Sequence, residues 1–117
     1  MNNLLGKFVI CRSRDQGVVC GYLRSLVPQP GGLACAELDE CRQIHGWGLG
    51  SANTLFEAAI HGFLTEARIS QPLDGFVIFG VCGVYPCSEQ AIANLSQSRW
   101  NEQYTPSNSA RSTKRRG

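Results

Sequence analysis

Apolar residues fall in short runs along this chain, and glycine, proline or small polar residues mark the ends of each run. Lys7 to Arg12 (KFVICR) has the β-branched and aromatic content of a strand. Ser13-Arg14-Asp15-Gln16-Gly17 is a polar turn, and Val18 to Val27 resumes the extended pattern, so the first two strands are predicted to form a hairpin. Gly21 inside the second strand implies a bulge or sharp bend of the kind small barrels use at their corners. Pro28-Gln29-Pro30-Gly31-Gly32 ends that strand.

Leu33 to Leu38 and Arg42 to Trp47 read as a third and a fourth strand, separated by an acidic turn at Asp39-Glu40. Thr54-Leu55-Phe56-Glu57 has capping-box spacing and predicts a helix start, with Asn53 as a competing cap. Leu55, Ala58, Ala59 and Phe63 form its apolar stripe, and Gly62 is its stop. Ala67 to Ser70 suits a short edge strand closed by Pro72. Gly75 to Tyr85 (GFVIFGVCGVY) is the most hydrophobic run, with the content of a central strand. Ser88 then caps a second helix, predicted to run to about Trp100 with Ile92 and Leu95 inward. The sum is an α+β domain: a small curled antiparallel sheet or barrel-like body of five to six strands with two short helices. It is expected to occupy residues 1–104 as a single globular domain, with 105–117 as a disordered basic tail.

Charge sharpens that division. Residues 1–104 hold seven basic and nine acidic side chains, for a net −2, whereas 105–117 hold Arg111, Lys114, Arg115 and Arg116 and no acid. The body therefore lacks the basic stripe of a nucleic-acid-binding domain, and the tail alone could attract a polyanion, weakly and in a salt-sensitive manner. No stretch has the roughly 18 apolar residues of a membrane helix. The segment MNNLLGK does not read as a signal peptide. Without a secretory leader, cysteines 11, 20, 35, 41, 82 and 87, which form no CxxC pair, read as buried thiols in a reducing compartment.

Candidate chemistry is sparse. His45 and His61 are the two histidines, no GxSxG elbow surrounds any serine, and a Cys41–His45 pair on a strand shares a face without hydrogen-bonding reach. Cys35, Cys41, His45, Cys82 and Cys87 could in principle supply zinc ligands, but their spacings are wider than a zinc knuckle. The expectation is a non-enzyme without metal or cofactor. Gly46-Trp47-Gly48-Leu49-Gly50-Ser51 precedes a helix yet fits neither phosphate-loop pattern. His45 and Trp47 share a strand face, and Arg42 joins them only across a bulge. An arginine, an imidazole and an indole together suit an anionic planar ligand or an interface with another subunit, with Arg12 and Arg24 as further candidates.

Three stretches carry a resemblance. They are Phe8-Val9-Ile10-Cys11-Arg12 with Gly17-Val18-Val19-Cys20-Gly21-Tyr22-Leu23, then Arg42-Gln43-Ile44-His45-Gly46-Trp47 with Leu55-Phe56-Glu57-Ala58-Ala59, and Val81-Cys82-Gly83-Val84-Tyr85-Pro86-Cys87-Ser88-Glu89-Gln90-Ala91. Together these resemble a family of small phage-encoded proteins of unknown function, in which an arginine- and tryptophan-rich strand leads into a short helix and a hydrophobic strand ends in Pro-Cys-Ser/Thr-Glu. Arg42 and Trp47 are the positions that carry over. The resemblance implies an accessory protein of the infected host's cytoplasm, acting by stoichiometric binding as a counter-defence factor that blocks a host immune protein or sequesters a nucleotide signal. A nucleic-acid-associated small barrel anchored by the tail is the alternative. A domain this small with a long apolar strand is also expected to form a homo-oligomer.

Overall fold

The computed structural model describes residues 2–46, 54–63 and 67–99, and the structural statements below concern those residues. They form five strands and two helices: β1 (Phe8–Ser13), β2 (Gly17–Gln29), β3 (Leu33–His45), α1 (Leu55–His61), β4 (Arg68–Ile69), β5 (Phe76–Pro86) and α2 (Glu89–Leu95). Every strand pairing is antiparallel, in the order β2-β1-β5-β3-β4, with β2 also pairing to β3. That extra pairing closes β1, β2, β3 and β5 into a four-stranded barrel, and β4 is appended to β3. The fold is the barrel-like α+β domain that the pattern predicts.

Closure with four strands demands sharp bending, and the bends sit where the pairing registers shift. One shift lies between Cys20 and Tyr22 of β2, against Asp39 to Arg42 of β3. Gly21 makes it possible: a Cβ there would stand 2.8 Å from the Asp39 carbonyl oxygen and 3.0 Å from Cys41 Cα. Opposite it, Glu40 adopts a φ of 49°. The bulge is clamped reciprocally to the turn before β5, since Glu40 N donates to Asp74 Oδ1 at 2.8 Å and Gly75 N donates to Asp39 Oδ1 at 3.0 Å. Asp39-Glu40 is therefore a kink inside one continuous strand, and the two strands predicted from Leu33 to Leu38 and from Arg42 to Trp47 are a single element through His45.

β5 bends in the same way. Its first half pairs with β3 and its second with β1, and Gly80, with φ 66°, lies between the halves. The side chain of Ser13 fastens this bend, donating to Phe79 O at 2.7 Å and accepting from Asp15 N and Gln16 N. That accounts for a serine that is only 4% exposed.

β1 is buried on both faces, so it reads as an unbroken apolar run. Val9, Cys11, Val19, Leu23, Leu38 and Ile78 fill the interior. Phe8, Ile10, Val18, Cys20 and Ile44 face outward against Leu55, Ala58, Ala91 and Leu95 of the helices. Alternation along each strand thus feeds two cores.

Both helices begin as predicted. Thr54 Oγ1 accepts from Glu57 N, Ser88 Oγ accepts from Ala91 N, and Gly62 caps the end of α1. The second helix is shorter than the sequence suggests and ends at Leu95. Beyond it the chain returns to pair Arg99 with Ile69 through two main-chain bonds of 2.6 and 2.7 Å. The Arg99 side chain donates to Ala67 O and Phe63 O, each at 3.0 Å, tying this return to the end of α1. A tertiary anchor, absent from local propensity, overrides helix continuation. Among the described residues no helix is long and apolar enough to cross a membrane.

Candidate functional site

The inward stripe of α1 (Leu55, Ala58, Ala59) leaves Phe56 and Ile60, four apart, on its outer side. Phe56 is 71% exposed and Ile60 49%. The end of β5 lies alongside, where Tyr85 meets Phe56 edge-on with ring centroids 5.9 Å apart. Ala59, Ile60, Gly83, Val84 and Pro86 complete a shallow, mainly apolar hollow around this pair. Its frame is fixed: Ser88 N donates to Ala59 O at 2.9 Å and Ser88 Oγ donates to Ile60 O, so the start of α2 holds the end of α1. Glu57 and His61 sit beside it, 3.8 Å apart and exposed to solvent. An aromatic and aliphatic surface on a rigid frame, with a polar rim, is suited to contact with another macromolecule.

The residues singled out in sequence are placed differently. Arg42 and His45 project from opposite faces of β3, because no register shift falls between them. The Arg42 guanidinium is already used: Nη1 donates to Ser70 O at 3.2 Å and to Ser98 Oγ, bracing the segment after α2. Arg24 is engaged by Asp39 at 3.4 Å and Glu37 at 3.9 Å. Arg12 is exposed on β1, two strands from Arg42, with buried Val18 and Ile44 in its own cross-strand row. The structure does not bring Arg12, Arg24, Arg42 and His45 into one pocket. Trp47, the glycine-rich segment that follows it, and the tail residues Arg111, Lys114, Arg115 and Arg116 lie outside the described residues.

The six cysteines are free thiols, with Cys11, Cys20 and Cys41 buried and Cys82 exposed. Burial pushes the Cys11 thiol up to about 12, with neighbouring Cys41 and Cys87 adding to the rise. Burial does the same to Cys41, also to about 12, and raises Cys20. These sulfurs are protonated near neutral pH, the opposite of an activated nucleophile. Cys41 lies in the barrel interior while His45, on the same strand face, is exposed at the barrel's end. Among the described residues no group of three or more His, Cys, Asp or Glu is placed to hold a metal ion.

Sequence reasoning missed Phe56, Ile60 and Tyr85 as a surface. A signal was present in part, since Phe56 and Ile60 interrupt the polar side of an amphipathic helix at helical spacing. Tyr85 joins them only through the packing of β5 beside α1. Residues 6–95, which span all five strands and both helices, match a family described as a domain of unknown function, DUF6948. No curated protein matches the chain, and no solved structure does.

Proposed function

The chain belongs to the DUF6948 family, and we propose that it is a phage-encoded, non-catalytic accessory protein that counters host defence by binding a host immune protein stoichiometrically. The surface of Phe56, Ile60 and Tyr85 is the contact. One observation carries this reading: a fixed frame holds a large aromatic side chain 71% exposed beside a second ring, with aliphatic neighbours around both. Burying Phe56 in a partner would contribute about 1.5–3 kcal/mol, the range of an interface anchor. The other form of the counter-defence reading is a nucleotide sequestered by Arg42, His45 and Trp47 with Arg12 and Arg24 as additions, and of these the Arg42 and Arg24 guanidiniums already have partners within the fold.

The test is functional. Bacterial strains carrying individual anti-phage defence systems are infected with sensitive phage, with and without the chain expressed. The expected result is restored plaquing against at least one system, with the immune protein of that system co-purifying in a fixed ratio. The Phe56→Ser, Ile60→Ser double variant, folded by circular dichroism, is expected to lose both effects. Failure to relieve any system, or full relief by the folded double variant, would overturn the proposal.

A further inference from the structure

A second site lies beside β3 and shares no residue with the apolar surface. It is a cleft of about 300 Å³ between β3 and the segment that leads into β5. Its floor is Val19 and Cys41, both buried, and Leu73 and Phe76 form apolar walls. The rim carries three side-chain amides, those of Gln16, Gln43 and Gln71. Gln16 Oε1 accepts from Phe79 N at 2.8 Å, which leaves its NH2 group to donate elsewhere. The amides of Gln43 and Gln71 have no hydrogen-bond partner among the described residues, whereas the main chain around them is pinned. Cys41 and Leu73 exchange both main-chain bonds at 2.9 Å, Ser70 N donates to Gln43 O at 3.0 Å, and Gln43 N donates to Ser70 Oγ at 2.8 Å. The walls are therefore preformed, and the unpaired groups on them are the ones able to turn toward a ligand.

No charged side chain lines this cleft. The moiety that suits this lining is neutral, flat enough to lie against Phe76, and equipped with adjacent donors and acceptors for amides. Glutamine amides match the edge of a nucleobase, adenine above all, whose amino group and ring nitrogen pair with one amide in a bidentate manner. Stacking on an aromatic ring adds affinity for the base plane. A volume at the low end of the ligand-pocket range admits one nucleoside and excludes larger cofactors.

The charge stands one step away. His45 lies two residues beyond Gln43 on the same face of β3, about 6.6 Å further along the strand. Its cross-strand partner is Arg68, and directly paired residues project to the same side. Arg68 is exposed and has no ion-pair partner among the described residues. That separation is comparable to the span from a nucleobase to its 5′-phosphate. We propose that the cleft binds a nucleoside 5′-monophosphate, adenine preferred, with the base among Gln43, Gln71 and Phe76 and the phosphate on His45 and Arg68.

Calorimetric titration of the full chain with AMP, adenosine, CMP and inorganic phosphate tests this directly. AMP is expected to bind more tightly than CMP, and inorganic phosphate alone only weakly. Gln43→Leu combined with Gln71→Leu should weaken AMP and adenosine alike by at least about tenfold, the loss of roughly one bidentate contact. Arg68→Gln should weaken AMP by about fivefold or more and leave adenosine unchanged. All three positions are exposed, and an unchanged melting temperature shows that each variant is folded. Absence of AMP binding at about 1 mM, the weak limit for a specific small ligand, would overturn the proposal. So would wild-type affinity in either variant. Phe56→Ser should leave AMP binding intact, so failure here and failure of the protein-docking surface are read separately.

Discussion

Replacing Gly21 by alanine tests the bend that closes the barrel. The added Cβ would stand 2.8 Å from Asp39 O and 3.0 Å from Cys41 Cα, both main-chain atoms of the neighbouring strand. Neither can swing aside as a side chain would. Asp39 and Glu40 are clamped to Gly75 and Asp74, and Cys41 is bonded to Leu73 in both directions. Relief therefore requires β3 to shift away from β2 at the seam. Overpacking of this kind costs about 1–3 kcal/mol, and rigid backbone on the receiving side puts Gly21 near the upper end. Alanine also restricts the unfolded chain, which stabilises by about 0.7 kcal/mol in the opposite direction. The net expectation is a loss of about 2 kcal/mol, or a fall of about 8–16 °C in Tm for a domain of this size. Urea denaturation followed by circular dichroism, with thermal melts alongside, measures both. A Gly21→Ala variant melting within about 2 °C of the parent would refute the claim that this glycine is required by close approach of β3.

Further outcomes follow from other named contacts. Arg99→Met should cost about 2 kcal/mol in urea denaturation, because the carbonyls of Ala67 and Phe63 lose a charged donor. Ser13→Ala should cost about 1–3 kcal/mol, since it strands the Phe79 carbonyl and two turn amides around a buried position. The buried thiols make stability fall in alkali. Below the ordinary thiol value of 9.0 both states are protonated and the contribution is complete, whereas above it the unfolded chain loses protons that folded Cys11 and Cys41 retain to about 12. Each such thiol then removes about 1.4 kcal/mol of stability per pH unit. Melts across that window should show the decline, with a shallower slope for Cys11→Ala. With a maleimide at neutral pH, Cys82 should label first, and the buried Cys11, Cys20 and Cys41 only on unfolding.

Much of the architecture is written in local sequence, because its causes are local. The Thr54 and Ser88 caps, the Gly62 stop and the hairpin at 13–17 each depend on a few neighbouring residues. The two-sided burial of β1 shows in an apolar run without alternation. Strand parity was legible too: odd spacing separates Arg42 from His45, and with no bulge between them they stand on opposite faces.

Other features have causes that are distant in sequence. Asp39-Glu40 looks like a turn, yet the pair remains within a strand because Asp74, Gly75 and Gly21 meet it from elsewhere. The second helix stops at Leu95 because Ile69 captures Arg99. Two of the arginines singled out in sequence have internal partners, Arg42 on Ser70 and Ser98 and Arg24 on Asp39 and Glu37. Gln16, Gln43 and Gln71, unremarkable along the chain, meet at one rim only because β3 carries the 70–73 segment past the first hairpin. By itself the sequence determined most of the elements, their caps and the glycine at which the second strand bends. The tertiary structure alone decided which side chains were spent holding the fold and which were left to meet a partner, since that depends on long-range pairing and not on spacing.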